Sequence, residues 1–278
     1  MKSSSLFGAI AILLVAMMIW GTSPIFAQSQ DSRIEAADVS GAHPPLRLDS
    51  GGPTVDMFCG RTFTTREMAY SVLALRKRNA PRPGALAPDF RLLTADGDRA
   101  VSLSELASSK PVVLILSSWG CDIFRESLSG LQELHSRYAE EAHFVMVYCR
   151  EVHPLDGFAG NLGRVNDAKT IEERMLHARR CREQLRLPFL MLVDTMMDSV
   201  ATRWAALPVR TFVVDTDGKV GFASAQGPWG YRPYRGFQHG SGEITEHDRE
   251  FSPGTLEEFL ETRFPENEVA SNAPESSR

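Results

Sequence analysis

The sequence lacks several features that would assign it to a specialised class of protein. Its 278 residues include only four cysteines, too few for a scaffold held together by disulfides. It has no heptad run, long repeat or collagen-like glycine period, which excludes fibrous and solenoid folds. Positive charge is not in excess, since 30 Lys and Arg stand against 35 Asp and Glu, a net charge of −5. We therefore expect no nucleic-acid partner, because such a protein needs a basic face to displace counterions from phosphates.

The first 27 residues have the pattern of a secretory signal. Lys2 precedes an uncharged apolar run from Leu6 to Trp20, and the small residue Ala27 comes just before a polar stretch. The run is shorter than the roughly 20 residues that a membrane-spanning helix requires. We expect a cleaved signal, or else an anchor formed by 6–20. Either way the chain is expected to be exported: periplasmic, secreted or membrane-anchored on the extracytoplasmic side.

The remainder divides into an extension, a large domain and a tail. Residues 28–85 are interpreted as a linker and helical extension, because 28–56 are polar and the capping box Thr64 to Glu67 predicts a helix to about Arg78. Over 86–265, apolar runs alternate with helical patterns, which predicts a parallel-centred α/β sheet. The polar residues 266–278 are predicted to be a disordered tail.

The periodicity of the large domain predicts its elements. These are hairpins at 90–103 and 210–222, strands at 111–116, 143–148 and 189–193, and helices at 123–139, 170–186 and 255–264.

Two of the predicted strands end in reactive side chains. The strand at 111–116 leads to Cys121, where a helix N-terminus favours the thiolate. The strand at 143–148 is followed by Cys149, Glu151 and His153. Because the carboxyl ends of parallel strands meet at one edge of a sheet, these groups should lie together. The sequence has no Cys-x-x-Cys pair, which disfavours a dithiol oxidoreductase of the thioredoxin type.

These residues resemble the signature of the iodothyronine deiodinase family. Cys121, with Ser118 three residues before it, falls where that family has selenocysteine or cysteine, and Glu151-x-His153 falls where it has a Glu-x-His pair. Further similar segments are Asp156-Gly157-Phe158, Glu172-Glu173-Arg174, Asp194-Thr195-Met196 and Gly227-Pro228-Trp229-Gly230-Tyr231. The resemblance covers 86–235. It implies a thioredoxin-like fold close to peroxiredoxins, with a central mixed sheet flanked by helices.

The resemblance also implies an activity. The expected enzyme is a thiol-dependent oxidoreductase in which the Cys121 thiolate reduces an aryl iodide. His153, oriented by Glu151, is expected to be the acid–base pair. Cys149 or an external thiol would release the iodine. Apart from that thiol we expect no cofactor and no metal, and the family suggests a homodimer.

Other functions stay open. Besides the two described next, these are an extracytoplasmic thiol–disulfide redoxin and an inactive thioredoxin-like scaffold whose function lies in the extension 28–85. A thiol peroxidase would use Arg210 and Ser118 to stabilise the Cys121 thiolate, since Arg210 falls where peroxiredoxins place an arginine facing their reactive thiol. Against this, Asp122 puts a negative charge beside the thiol and should raise its pKa. A copper-binding protein would use Cys121, Cys149 and His153 as ligands.

The other cysteines have ordinary structural explanations as well. Cys149 suits packing about as well as a resolving role, and Cys181 is expected to be a half-buried helix residue. Disulfide connectivity among Cys59, Cys121, Cys149 and Cys181 stays open.

Overall fold

The computed structural model describes residues 80–157, 160–239, 246–249, 251 and 254–265. The predicted signal, the helix at 64–78 and the tail lie outside these residues, so the proposed division into domains stays a prediction. Within the described residues, every helix is too short or too polar to cross a membrane.

A seven-stranded mixed sheet forms the centre of the molecule. Its strands are β1 (Arg91–Thr94), β2 (Ala100–Ser102), β3 (Val112–Ser117), β4 (His143–Tyr148), β5 (Leu190–Val193), β6 (Arg210–Val214) and β7 (Val220–Ala223). They lie in the order β2-β1-β5-β4-β3-β6-β7. The central strands β5, β4 and β3 are parallel, and the hairpins β1–β2 and β6–β7 add antiparallel edges. This is the expected α/β thioredoxin-like arrangement.

Burial on both faces explains the apolar runs at the centre of the sheet. All six residues of β3 are buried, and so are five of the six in β4. A strand covered by helices on both faces excludes water from every side chain, so its sequence is continuously apolar instead of alternating. The two strands pair in parallel from Val112 with His143 to Ser117 with Tyr148, so both end at the same edge.

Six α-helices surround the sheet in the described part of the chain, and a short 3-10 helix (Gly160–Leu162) lies in the loop after β4. The α-helices are α1 (Leu103–Ala107), α2 (Asp122–Tyr138), α3 (Ile171–Leu185), α4 (Ser199–Arg203), α5 (Glu246–Arg249) and α6 (Leu256–Arg263). The predictions of α2, α3 and α6 are confirmed to within two residues at each end. The hydroxyl of Thr255 and the carboxylate of Glu258 form a capping box that fixes the start of α6.

Contacts between rings divide the helices between the two faces of the sheet. Phe222 of β7 packs on Phe259 of α6, with ring centres 5.5 Å apart. Trp204, which ends α4, packs on Phe212 of β6 at 4.8 Å. Phe222 lies opposite Val213 in the sheet, and successive side chains of a strand point to opposite faces. Helix α6 therefore covers one face and α4 the other.

Helix α2 lies on the α6 face. Its Arg137 contacts Glu261 of α6 at 3.2 Å, and its Gln132 donates to the carbonyl of Leu185, at the end of α3, at 3.1 Å. Helices α2, α3 and α6 thus share one face, whereas α4 is on the other.

Helix α4 is absent from the sequence predictions because it is only five residues long and its N-cap residue, Asp198, makes no side-chain cap hydrogen bond. The buried carboxylate of Asp194, directly after β5, accepts instead from the backbone N–H groups of Val200 at 3.0 Å and Ala201 at 2.8 Å. A helix of little more than one turn is too short to show a helical hydrophobic period.

Candidate active site

Cys121 occupies the junction between β3 and α2, as predicted. It is the N-cap of α2, and its sulfur accepts from the backbone N–H of Phe124 at 3.5 Å. A turn closed by the Cys121 N–H on the carbonyl of Ser118, at 3.2 Å, leads into the helix. The strand and the helix together hold the sulfur at the carboxyl edge of the sheet.

The Cys121 side chain is a buried, neutral thiol. Its solvent exposure is 0%. Burial is the main cause that raises its pKa to about 12, and the charge of Asp122 raises it further, in the predicted direction. The Phe124 N–H, the Ser117 hydroxyl and the Arg125 guanidinium lower it by less. The prediction of a resting thiolate is therefore wrong, because desolvation outweighs the helix N-terminus.

Ser118 joins the two strand ends rather than facing the sulfur. Its hydroxyl oxygen accepts from the backbone N–H of Val152 at 3.2 Å. The hydroxyl that lowers the pKa of the Cys121 thiol belongs to Ser117, one residue earlier, and it donates to the carbonyl of Pro208 at 3.1 Å. The predicted role of Ser118 in stabilising the thiolate is thus corrected, because its hydroxyl shapes the loop.

Glu151 is buried behind the same junction. One carboxylate oxygen, Oε2, accepts from the backbone N–H of Gly120 at 2.7 Å, and Oε1 accepts from the hydroxyl of Tyr148. Burial raises the pKa of Glu151 to about 7, although both hydrogen bonds favour the charged form. A carboxyl group with this pKa can hold or release a proton near neutral pH.

The chain passes so close to Glu151 that any side chain at Gly120 would force its neighbours to shift. A Cβ at Gly120 would lie 2.6 Å from the carboxylate of Glu151 and 3.0 Å from the carbonyl oxygen of His153. The absent side chain lets β3 and the loop after β4 touch. Gly120 therefore brings Cys121 and Glu151 together.

His153 lies on the partly exposed side of the junction between β3 and α2, which we call its mouth, and not against Glu151. Its Nε2 is 3.9 Å from Oδ1 of Asp122, the residue after Cys121, and its side chain is 12% exposed. The hydrogen bonds of Glu151 go to Tyr148 and Gly120 instead. The prediction that Glu151 orients His153 is therefore wrong, although both residues flank Cys121.

Cys149 has neighbours of its own. Its thiol donates weakly to the carbonyl of Val147 at 3.5 Å. Burial, then the charges of Asp194 and Asp198, raises its pKa well above the ordinary value. Cys121, Cys149 and Cys181 are all free and buried, and Cys59 lies outside the described residues. A resolving role for Cys149 stays a prediction.

Arg210 points away from the thiol. Its guanidinium carbon lies 4.5 Å from the centre of the Phe251 ring, and its side chain shares the α4 face with Phe212. The next residue, Thr211, faces α2 and donates to the hydroxyl of Tyr231 at 3.4 Å. The prediction that Arg210 faces Cys121 is wrong, because alternation along β6 puts it on the opposite side of the sheet from α2.

Arg125 is the cation beside the thiol, and the sequence predictions missed it. It lies one helical turn after Cys121, and its guanidinium donates to the carbonyls of Trp119 at 2.6 Å and Leu162 at 3.3 Å. Its charge acts on both Cys121 and Glu151. The spacing of four residues in a predicted helix was the available signal.

No group of three or more His, Cys, Asp or Glu side chains in the described residues could hold a metal ion. The copper interpretation required Cys121, Cys149 and His153 to converge, and the structure does not bring them together. A cavity of about 600 Å³ lies elsewhere, between Arg82, Phe222, Phe251 and Phe259.

Comparisons with known proteins agree with the resemblance in the sequence. The family model described as iodothyronine deiodinase matches residues 56–236. The type I iodothyronine deiodinase of Xenopus laevis is 27% identical over 216 residues, which are 75% of this chain and 81% of that protein. The thyroxine 5-deiodinase of Homo sapiens is 26% identical over 152 residues, 54% of this chain. The chain spans 49% of that protein's length.

Solved structures with similarity include redox proteins. An uncharacterised conserved protein from Geobacillus kaustophilus has a TM-score of 0.44 and 17% identity, covering 60% of this chain and 77% of its own. A putative thiol:disulfide interchange protein DsbE from Chlorobium tepidum has a TM-score of 0.39 and 21% identity, covering 55% and 89%.

Proposed function

The chain belongs to the iodothyronine deiodinase family, and we propose that the Cys121 sulfur is the nucleophile and electron donor through which it reduces its substrate. It is a thiol-dependent oxidoreductase that acts on a small molecule with a thiol reductant. The observation that carries the proposal is the position of Cys121 as N-cap of α2, beside Arg125 and Glu151. The substrate proposed is an aryl halide, an iodide first.

The proposed reaction begins with loss of the Cys121 proton. Because the resting thiol is buried with a pKa of about 12, the site must open and a neighbouring base must take the proton. Arg125 stabilises the resulting thiolate through its charge. Phe124 donates a backbone N–H to the same sulfur.

The thiolate then attacks the halogen, not the carbon. A sulfur–iodine bond forms, the carbon–iodine bond breaks, and the electron pair stays on the carbon, which takes a proton. Sulfur is oxidised and the arene is reduced. We propose His153 at the mouth as the donor of that proton. We propose Glu151 as the buried carboxyl group that exchanges protons with the groups around Cys121.

A reducing thiol completes the cycle. It attacks the sulfur of the sulfenyl iodide, releases iodide and forms a disulfide with Cys121, which a second thiol reduces. We propose an external thiol for both steps and no resident cofactor. Cys149 as an internal resolving thiol is the alternative.

The decisive experiment compares iodide release from 3-iodobenzoate by wild type, Cys121→Ser and Cys181→Ser, with dithiothreitol as reductant. Iodide release should disappear only in Cys121→Ser. Full activity of that variant would overturn the nucleophile assignment. Peroxide reduction is measured in parallel, and a peroxidase rate that exceeds deiodination would favour the peroxidase instead.

Export and assembly complete the proposal. We propose that residues 1–27 direct export, with cleavage after Ala27 or retention of 6–20 as an anchor, and that the mature protein is a homodimer. Mass spectrometry of the mature chain tests the cleavage. Light scattering tests the dimer, and a monomeric mass would contradict it.

A further inference from the structure

Two arginines converge at the mouth of the Cys121 junction. Arg125 of α2 and Arg164, in the loop after β4, both donate to the carbonyl oxygen of Leu162, at 3.3 Å and 3.0 Å. Two guanidinium groups that share one acceptor are close neighbours. The charge of Arg164 accordingly lowers the pKa of Arg125, after the larger effect of burial. Positive charge is thus concentrated at this point.

Neither arginine forms a hydrogen bond or ion pair with a carboxylate in the described part of the chain. The hydrogen bonds of Arg125 go to the carbonyls of Trp119 and Leu162, and those of Arg164 to Leu162 and Gly163. The charges of Asp122 and Glu151 act on Arg125 and balance part of its charge. Arg164 adds a second positive charge beside it, which a bound anion would balance.

Both side chains keep donors for a ligand. A guanidinium has five N–H groups in a planar fork that matches a carboxylate. The bonds of Arg164 all come from Nη1, so its Nε and Nη2 donors stay available on an exposed side chain. Arg125 is half-buried, and its charge reaches the Cys121 thiol.

We infer that Arg125 and Arg164 form an anion cleft that binds the carboxylate of the substrate and so orients its halogen toward Cys121. This inference rests on the proposed function and names the substrate class as an acidic aryl halide. Anchoring one end of a small ring restricts the orientations of the other end, which favours attack. Arg125 sits one helical turn from the sulfur, and Arg164 lies toward solvent where the ligand enters.

The test compares two substrates of the same size and different charge, 3-iodobenzoate and 3-iodobenzamide. Wild type should have about a tenfold lower KM for the benzoate, because hydrogen bonds to a charged group are the strong ones. In Arg164→Gln that ratio of KM values should fall toward one. Arg180→Gln, which removes an exposed arginine from α3, is the matched control and should keep the wild-type ratio. An unchanged ratio in Arg164→Gln would overturn the cleft.

The anion could instead belong to the reducing thiol. The KM of the donor is therefore measured with thioglycolate and with uncharged 2-mercaptoethanol. If Arg164→Gln changes the preference between donors and not between substrates, the inference is wrong.

Binding without turnover separates the cleft from the chemistry. Calorimetry of Cys121→Ser with benzoate and with benzamide should show a preference for benzoate that weakens with salt and is lost when Arg164→Gln is added. If no aryl iodide is reduced but this preference holds, the proposed function fails and the cleft stands. If iodide is released without any preference for charge, the cleft fails and the function stands.

Discussion

Two buried thiols at the same edge of the sheet have different surroundings. Cys121 adjoins groups that can change charge or meet solvent: Glu151 with a pKa of about 7, His153 at the mouth, and Arg125. Cys149 adjoins Asp194, whose pKa is also raised, to about 6, and Asp198, and both carboxylates are held by hydrogen bonds within the fold. What distinguishes a reactive thiol here is therefore its neighbours and not its burial, which is complete for both.

The surroundings of Cys149 form a closed ionic cluster. Arg150 pairs with Asp167, and Arg174 pairs with Asp198 and donates to the carbonyl of Thr195 at 2.5 Å. The side chains of Arg150, Asp167 and Arg174 are at most 2% exposed, and that of Asp198 is 11% exposed. Such a cluster holds the loops after β4 and β5 in place.

The largest difference between the two thiols is expected when each cysteine is replaced by serine. Cys121→Ser should reduce the rate of substrate reduction by more than about a thousandfold, because a hydroxyl is a far weaker nucleophile. Cys149→Ser should stay within about threefold of wild type if its thiol only packs. Initial rates with dithiothreitol measure both. Equal losses in the two variants would place Cys149 in the cycle as the resolving thiol.

Removing a charge from the ionic cluster should chiefly affect stability. Arg174→Met removes the buried cation nearest Asp198, which keeps only Arg150 at 3.8 Å, and should lower the free energy of unfolding by about 3–5 kcal/mol. Urea denaturation measures this. Arg180→Met on the same helix is the control and should change stability by less than about 0.5 kcal/mol. A stable Arg174→Met protein would show that the cluster is dispensable.

Glu151 should make stability depend on pH. Its carboxyl pKa is raised in the folded state from 4.5 to about 7, so the native protein binds more protons than the unfolded chain between these values. Its contribution is complete below the unfolded pKa and is lost as pH rises through 7, about 3 kcal/mol in all.

Glu151→Gln should remove that contribution. Unfolding measured at pH 5, 6 and 7.5 should show a shallower decline than in wild type, with Asp194 as a remaining source of slope because its pKa is raised to about 6. The same variant should slow substrate reduction about a hundredfold by removing the proton carrier. An unchanged pH slope would contradict the raised pKa.

The smallest expected effect concerns the contact between the two strand ends. Gly120→Ala puts a Cβ 2.6 Å from the Glu151 carboxylate, so the loop must shift, at a cost of about 1–3 kcal/mol. Thermal unfolding measures this. The control is Gly218→Ala in the β6–β7 turn, where no atom lies within 4 Å of the new Cβ. Because Gly218 has a φ of +76°, this variant measures the cost of backbone strain without a steric clash.

The sheet was predictable because its signals are local. A run such as Val112 to Leu116 can be buried on both faces only as an inner strand, and Cys121 follows that strand directly. The placing of Cys121, Glu151 and His153 at one edge then follows from parallel pairing, whereas the order of the seven strands was not predicted. Local patterns did not predict α4, because a helix of five residues is too short to show a hydrophobic period.

The side-chain directions at the site could not be predicted either. Arg210 and Thr211 are adjacent in β6, so Arg210 lies on the face covered by α4 and Thr211 on the face covered by α2. A single-residue error in register therefore reverses a prediction of contact. For this reason Arg210, predicted to face the thiol, lies on the other side of the sheet, and the cation beside the thiol is Arg125.

The order of residues along the chain was enough to establish the family, the α/β sheet and the strand-to-helix position of Cys121, because each depends on neighbours in sequence. The protonation of that thiol, the partners of Glu151 and the convergence of Arg125 with Arg164 depended on folding. Burial and charge are properties of a three-dimensional environment, and segments far apart in the chain create it.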